Sequence, residues 1–364
     1  MVRESLGNLF SVKSGDGIAV SSLNSHGKYP VYGGNGINGY FSKYNVKFGK
    51  MIIGRVGEKC GNINITNSES WISDNALIVI PKIHYDINYM SYLLKHINLN
   101  AYANRNAQPV ISGKIIYAVE TAFIEDIQIQ KKVSAMIQSF DTYIDNLTEL
   151  IEKKRNIRDG ALEDLVSGRT RLDGFSGEWC TMPLSRFTVI NPSTDVPDSF
   201  VYVDLESVKG ISLIGKRRET KHSAPSRARR FAQKGDVFYQ TVRPYQKNNY
   251  FFDLDGNYVF STGYAQLRTS NDPNYLFLLI RQDSFVNCVL DNCTGTSYPA
   301  INPKKLSETE IYVPVDKKEQ SAIASIIMAL DTEIASLEEE KDKMLQIKAG
   351  AMDDLLTGRV RLKV

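Results

Sequence analysis

The chain has 364 residues, of which 42% are hydrophobic and 23% are charged. This length allows two or three domains, and the composition is ordinary for a globular protein. No apolar run approaches the roughly 18 residues that a membrane-spanning helix needs, and the first residues lack the pattern of an export signal. We therefore expect a cytoplasmic protein. The net charge of +3 is close to neutral, so any surface for nucleic acid would have to be local.

The cysteines and histidines show no pattern typical of a metal or catalytic site. Cys60, Cys180, Cys288 and Cys293 include no Cys-x-x-Cys pair, and no histidine stands at metal-ligand spacing from them. The histidines are isolated from one another in the sequence. We expect free thiols in a reducing compartment, no bound metal and no catalytic histidine.

Residues 1–129 are predicted to form a strand-rich domain of mixed α and β structure. A glycine- and asparagine-rich loop at 29–40 lacks the Gly-Lys-Ser/Thr ending of a phosphate-binding loop. A short strand at 50–57 brings Arg55 onto a glycine turn, and the best helix of this region lies at 88–97. The segment 103–111 is polar and basic, without a regular pattern.

A long helix is predicted from about residue 130. Apolar residues recur there at alternating steps of four and three, which places one apolar seam on a helix that packs against another helix. This seam consists of Ile137, Phe140, Ile144, Leu147 and Ile151. A helix of about 36 residues would be on the order of 54 Å long. Gly168 stands where the end of a helix favours a left-handed residue.

A second globular segment is predicted from residue 173 to about residue 316, and its middle is strongly basic. Between residues 206 and 247, eleven lysines and arginines face three acidic residues. A turn and strand at 235–243 ends in Arg243 and echoes the segment 49–55, which ends in Arg55. Arg243 could instead form an ion pair with Asp236 or Asp253.

The chain contains an internal duplication. Residues 130–172 align without a gap with residues 320–362, at a constant offset of 190. The same offset places residues 298–304 on residues 108–114, so the repeated unit is a globule followed by a helix. The second helix repeats the apolar seam with Ile327, Leu330, Ile334, Leu337 and Leu355.

These repeated helices carry a family resemblance. They end in LVSGRTRL at 165–172 and LLTGRVRL at 355–362, and further matching pieces are PSRAR at 225–229, VRPY at 242–245 and Gly295-Thr296. In this order and in duplicate, they make the chain resemble the specificity subunit of type I restriction–modification systems, over essentially its whole length. The resemblance implies an α+β fold with two similar target-recognition domains, joined by two long antiparallel helices that form a coiled coil with pseudo-two-fold symmetry.

The resemblance also implies domain boundaries and partners. The expected parts are a recognition domain at 1–129, a spacer helix at 130–172, a second recognition domain at 173–316, and a second helix with its tail at 317–364. Each recognition domain would read one half of a split double-stranded DNA target. The seam residues of the two helices would dock two DNA methyltransferase subunits, and a motor-nuclease subunit would join for restriction. S-adenosylmethionine, ATP and Mg²⁺ are expected on those partners, with no cofactor in this chain.

Basic and polar residues in the two globules are the candidates for DNA contact, because arginine, lysine and glutamine serve both base and phosphate recognition. For each of them the alternative is a solvated surface side chain. The candidates are Arg55, Lys59, Arg105, Gln108, Lys216, Arg217, Arg218, Arg227, Arg229, Arg230, Arg243 and Lys247.

The sequence argues against catalysis by this chain alone. The segment 191–194 (NPST) does not fit the Asn-Pro-Pro-aromatic loop of an adenine methyltransferase, and a helicase phosphate loop is absent. Glu152-Lys153-Lys154 lacks the preceding acid of a nuclease site. Two other readings stay open: a coiled-coil scaffold that binds only protein, and the recognition subunit of a related two-subunit restriction system.

Overall fold

The computed structural model describes residues 1–105, 108–295 and 297–362. The chain divides into two units: unit 1 contains Met1–Glu149 and Glu338–Val364, and unit 2 contains Leu150–Leu337. Thr296, from the Gly-Thr piece noted in the sequence, lies outside the described residues. Within the described ranges, no helix is both long enough and apolar enough to cross a membrane.

Unit 1 begins with a strand-rich globule, as its sequence predicts. Its strands are β1 (Val2–Ser5), β2 (Phe10–Ser14), β3 (Tyr29–Gly33), β4 (Gly36–Phe41), β5 (Met51–Gly54), β6 (Ile63–Ile65), β7 (Trp71–Ile72), β8 (Ala76–Pro81) and β9 (Glu120–Phe123). Its short helices are α1 (Leu6–Leu9), α2 (Ile87–Ile97) and α3 (Gly113–Tyr117). The strands form sheets in the orders β2-β8-β5-β6, β4-β3-β7 and β1-β9.

Two long helices of 41 residues each, α4 (Ile127–Ser167) and α9 (Lys317–Thr357), follow the two globules. Both are followed by a glycine in the left-handed region, with φ of 73° at Gly168 and 77° at Gly358. This conformation favours glycine because a side chain would clash with the backbone. The two repeated helices expected from the duplication are therefore confirmed.

Unit 2 repeats the organisation of unit 1 with more strands. These are β10 (Trp179–Pro183), β11 (Val189–Ile190), β12 (Ser199–Val203), β13 (Val208–Lys209), β14 (Ser212–Leu213), β15 (Arg217–Thr220), β16 (Ala228–Phe231), β17 (Val237–Gln240), β18 (Tyr250–Phe251), β19 (Tyr258–Ser261), β20 (Tyr264–Arg268) and β21 (Glu310–Pro314). The sheet orders are β11-β20-β17-β18, β15-β12-β19-β16, β13-β14 and β10-β21. The short helices are α5 (Leu184–Phe187), α6 (Pro273–Leu279), α7 (Asp283–Asp291) and α8 (Pro303–Glu308).

Within each unit, the halves of the two long helices pack antiparallel. In unit 1, Tyr143 donates a hydrogen bond to Glu340, and Lys348 pairs with Asp141. As the residue number rises on α4 it falls on α9, which defines the antiparallel direction. Unit 2 repeats the pattern with Lys154–Glu333 at 2.8 Å and Arg158–Asp331 at 3.0 Å. The α+β class with two globules and long antiparallel helices is thus confirmed.

The seam residues of these helices serve the chain's own core. Seven of the ten predicted seam side chains are buried: Ile137, Ile144, Leu147, Ile151, Ile327, Ile334 and Leu355. The other three, Phe140, Leu330 and Leu337, are partly exposed. Because buried side chains already have packing partners, a protein that docks on the helices would meet other positions first. Exposed apolar residues on the same helices include Met136, Ile157, Met328 and Leu345.

A buried glutamine near the start of each long helix attaches that helix to its globule. In unit 1, the amide of Gln130 donates to the carbonyl of Ile124 at 2.6 Å and accepts from the N–H of Asp86 at 2.7 Å. Gln320 makes the corresponding bonds in unit 2, to the carbonyl of Pro314 at 2.8 Å and from the N–H of Asp272 at 3.2 Å. Both bonds go to backbone atoms that would otherwise lack partners in the interior.

Candidate nucleic-acid interface

The strand register of unit 2 brings several basic residues to one end of its sheets. Strands β12 and β19 are parallel and end together, while β15 and β16 are antiparallel to them and begin at that end. Arg217 lies opposite Tyr202, and Ala228 lies opposite Ser261. Lys216, Arg217 and Arg227 therefore stand at the same end of this sheet.

The second sheet of unit 2 meets the first at this end. The N–H of Thr262 donates to the carbonyl of Arg227 at 2.9 Å, and the N–H of Thr241 donates to the carbonyl of Gly263 at 3.0 Å. These bonds join the turn before β16, the turn between β19 and β20, and the loop after β17. We call this end of unit 2 the basic edge; its cations are Lys216, Arg217, Arg227, Arg243 and Lys247.

The cations of the basic edge differ in their local partners. Arg217 pairs with Glu219 at 2.7 Å and lies over the ring of Tyr202, and Lys247 pairs with Asp283. Lys216 and Arg227 are exposed. The charges of Lys216 and Arg227 are therefore available to an anionic ligand. Arg217 and Lys247 would have to leave their carboxylate partners to bind one.

Three further candidates lie along the strands beyond the basic edge. Arg218 is exposed within β15. Arg229 is exposed on β16, and its Nε donates to the carbonyl of Ser226 at 2.8 Å. Arg230 is half-buried, and its Nε has no hydrogen-bond partner. Burial, and then the charge of Arg229, lower the pKa of Arg230, so it is less accessible to a duplex than the edge residues.

Arg243 forms a stacked pair instead of the ion pairs considered from the sequence. Its guanidinium lies 4.3 Å from the centre of the Tyr298 ring. Asp236 is held by Arg268, which contacts both carboxylate oxygens at 2.7 and 2.8 Å. The alternative pairing of Arg243 with Asp236 is therefore wrong. Arg243 is also left-handed, with φ of 54°, which is uncommon outside glycine.

The same loop exists in unit 1, where a residue other than arginine occupies the position of Arg243. Val56 bridges Val110 in unit 1, and Val242 bridges Ala300 in unit 2. The N–H of Gly57 donates to the carbonyl of Pro109 at 2.9 Å, as the N–H of Arg243 does to that of Pro299 at 2.7 Å.

Gly57 is therefore the counterpart of Arg243. Arg55 corresponds to Thr241, since each donates its N–H to the carbonyl of the residue just before the adjacent strand of its sheet: Asn75 before β8 and Gly263 before β20. Gln108 corresponds to Tyr298 at the repeat offset of 190. The apparent echo of Arg55 by Arg243 in the sequence is thus not a structural equivalence.

The other candidates in unit 1 occupy the loops around Gly57. Arg55 reaches the carbonyl of Asp74 at 3.5 Å, and Arg105 donates to the side chain of Asn100 at 2.6 Å. Lys59 and Gln108 are exposed. Unit 1 therefore offers fewer cations at this end than unit 2.

The glycine-rich loop of unit 1 has a packing role. A Cβ on Gly34 would lie 2.4 Å from the carbonyl oxygen of Val56, and one on Gly54 would lie 2.2 Å from that of Gly34. The backbones approach too closely for any side chain. Close approach thus explains Gly34, and Gly36 is explained by its left-handed φ of 97°, so neither glycine requires a bound phosphate.

Sequence reasoning missed two features of the site. The first is Tyr298 as the platform of Arg243, because a tyrosine in a loop gives no signal of what it contacts. The second is the buried pair Gln130 and Gln320. Both are in register at the offset of 190, so a polar residue repeated within the apolar helix start could have revealed them.

Comparison with known proteins places this arrangement in a family. A family model described as the type I restriction modification DNA specificity domain matches residues 2–155 and 206–346. Among curated proteins, the specificity subunit of the type I restriction enzyme EcoprrI from Escherichia coli is 28% identical over 156 residues. That match covers 42% of this chain and 39% of the relative. The HindI specificity subunit from Haemophilus influenzae is 27% identical over 152 residues, which cover 40% of this chain and 30% of that protein.

Solved structures match over nearly the whole chain. The S subunit of a type I restriction–modification system from M. genitalium gives a TM-score of 0.64 at 15% identity, covering 98% of this chain and 96% of that one. The HsdS subunit from Thermoanaerobacter tengcongensis gives 0.53 at 13% identity, covering 99% and 97%. At such identity these likenesses establish a shared fold.

Proposed function

We propose that this chain is the subunit with which a type I restriction–modification complex recognises a bipartite DNA sequence. The proposal starts from its family, since the chain belongs to the type I restriction modification DNA specificity domains. Each globule would read one half-site. The two globules differ in sequence and in strand number, so the two half-sites should differ as well. A two-part reader of this kind matches two separated half-sites on a duplex.

The observation that carries this proposal is the basic edge of unit 2. Its cations lie at strand ends and in the adjoining turns, and Lys216 and Arg227 are exposed without a carboxylate partner among the described residues. Phosphate oxygens attract such groups, and phosphate contacts set the register in which bases are read. Because the net charge of the whole chain is close to neutral, this group of cations is a local positive surface and does not reflect a generally basic protein.

The proposal assigns catalysis to partner subunits. Two methyltransferase subunits would dock on α4 and α9 and carry S-adenosylmethionine, and motor-nuclease subunits with ATP and Mg²⁺ would join for restriction. Plasmid DNA incubated with the purified chain, S-adenosylmethionine, ATP and Mg²⁺ should stay unmethylated and uncut. Turnover by the chain alone would contradict this assignment.

The basic edge can be tested with a charge-matched pair of variants. Lys216→Ala with Arg227→Ala removes two edge cations, while Lys221→Ala with Lys234→Ala removes two exposed cations from the opposite end of the same strands. We expect the edge variant, assembled with its methyltransferase subunits, to reduce the slope of log affinity against log salt by about 1.8, since each lost phosphate contact contributes about 0.9.

The control variant should keep the wild-type slope. Equal slopes for both variants would show that DNA does not lie along the basic edge. Absence of any salt-sensitive duplex binding by the wild-type complex would favour the protein-binding scaffold instead.

A further inference from the structure

We propose that Arg243, stacked on Tyr298, is the side chain with which unit 2 reads a guanine of its half-site. The inference rests on the proposed function and adds to it a residue and a base. Unit 1 has Gly57 and Gln108 at the equivalent positions, so this contact would belong to one half-site only.

The loop that carries Arg243 is held in place by hydrogen bonds from a buried glutamine side chain. Arg243 and Lys247 are both left-handed and flank a single turn at Pro244–Gln246. The amide of Gln240 donates to the carbonyl of Val242 at 2.6 Å and to the side chain of Gln246 at 2.9 Å. A side chain on a loop fixed in this way loses little freedom on binding, which favours selective contact over loose attraction.

The backbone at Arg243 indicates that its side chain is needed there. A left-handed conformation is unfavourable for any residue with a Cβ. Unit 1 meets the same requirement with Gly57, at φ of 89°. Nothing in the backbone hydrogen bonding therefore calls for arginine, since a glycine fulfils it in the other copy.

The surroundings of Arg243 leave its guanidinium ready for a base. Tyr298, a residue that is 64% exposed, covers one face of the group, with the guanidinium 4.3 Å from the centre of its ring. Among the described residues, no carboxylate pairs with Arg243, in contrast to Arg217 and Lys247. The N–H donors at the edge of the guanidinium stay free to bind a ligand. Two of them are parallel and match the acceptors O6 and N7 of guanine in the major groove.

Substitutions at position 243 separate a base contact from a phosphate contact. Arg243→Gly accepts the left-handed backbone and reproduces the residue of unit 1, so it should fold normally. Arg243→Lys keeps the positive charge but lacks the two parallel donors. Each complex would be assembled with its methyltransferase subunits and presented with duplexes randomised at both half-sites, and the bound fraction would be sequenced.

We expect the wild-type complex to prefer guanine at one position of one half-site, by roughly 5-fold to 150-fold. Both variants should lose that preference and retain the other half-site unchanged. A uniform loss of affinity without a change in base preference would overturn the inference, because that is the behaviour of a phosphate contact. Unchanged preference in Arg243→Gly would overturn it as well. A wild-type complex without any sequence preference would instead refute the proposed function itself.

Discussion

The buried amide of Gln130 allows a quantitative test of how the first globule is attached to its helix. Gln130→Leu replaces the amide with an apolar side chain of similar size, and it leaves the N–H of Asp86 and the carbonyl of Ile124 without partners. Each unsatisfied buried group costs about 1–3 kcal/mol, and the leucine recovers part of this by its burial. We expect a net loss of about 3 kcal/mol in the local stability of unit 1.

Hydrogen–deuterium exchange read by mass spectrometry suits this test, because two units need not unfold in one step. Peptides covering the start of α2 and residues 120–137 should exchange faster in Gln130→Leu, while peptides of unit 2 should not change. Gln128→Leu is the matched control, since Gln128 is exposed on the same helical turn. If the two variants exchange alike, the amide does not contribute to the attachment.

Three further outcomes are expected. Arg268→Leu leaves the carboxylate of Asp236, which is 1% exposed, buried without its cation, and should lower the free energy of unfolding of unit 2 by about 3–5 kcal/mol in denaturant titration. Burial would raise the pKa of Asp141, but hydrogen bonds from Lys348 and a tyrosine outweigh it and hold that pKa below its ordinary value. The stability that ionised Asp141 gives to the folded protein is therefore complete above the ordinary pKa of aspartate. It is lost as the pH falls through the lowered pKa of the folded state. Asp141→Asn should accordingly be less stable than wild type at pH 7 and approach it in acid, and an equal deficit at both pH values would refute this. Gly34→Ala places a methyl group 2.4 Å from a backbone oxygen and should lower the thermal midpoint of unit 1 by several degrees. In the control Gly36→Ala, no atom lies within 4 Å of the new methyl group, so any decrease in the midpoint comes only from the strain of a left-handed φ.

The duplication made the long helices predictable from sequence. Residues 130–172 and 320–362 match without a gap, so the helices, their glycine ends and their apolar seam follow from the repeat. What the seam packs against does not follow, because a periodic pattern is the same for an internal and an external partner. The burial of Ile137 and Ile327 shows that the chain itself supplies much of the packing.

The sequence predicts that unit 2 has a basic surface, but it does not predict which of the basic residues lie together at the basic edge. Eleven cations in one stretch indicate a local positive surface, but only the strand register separates Arg227, at the edge, from the half-buried Arg230. The globules also differ in loop length, so the offset of 190 changes to 186 between Gly57 and Arg243. This shift hid their equivalence, which rests on hydrogen bonds between segments far apart in the sequence.

The discontinuous make-up of unit 1 has a consequence for biosynthesis. Leu355 and Leu356 belong to the apolar core that also contains Val133 and Ile137, so this core needs residues from the last helix. Unit 2, in contrast, is built from the continuous segment Leu150–Leu337. On the ribosome, which extends the chain from its N-terminus, the second globule can complete its packing once residue 337 has been added, while the first still lacks the part of α9 that follows. We therefore expect the nascent first helix to expose an apolar face until residues 338–357 of α9 have been synthesised.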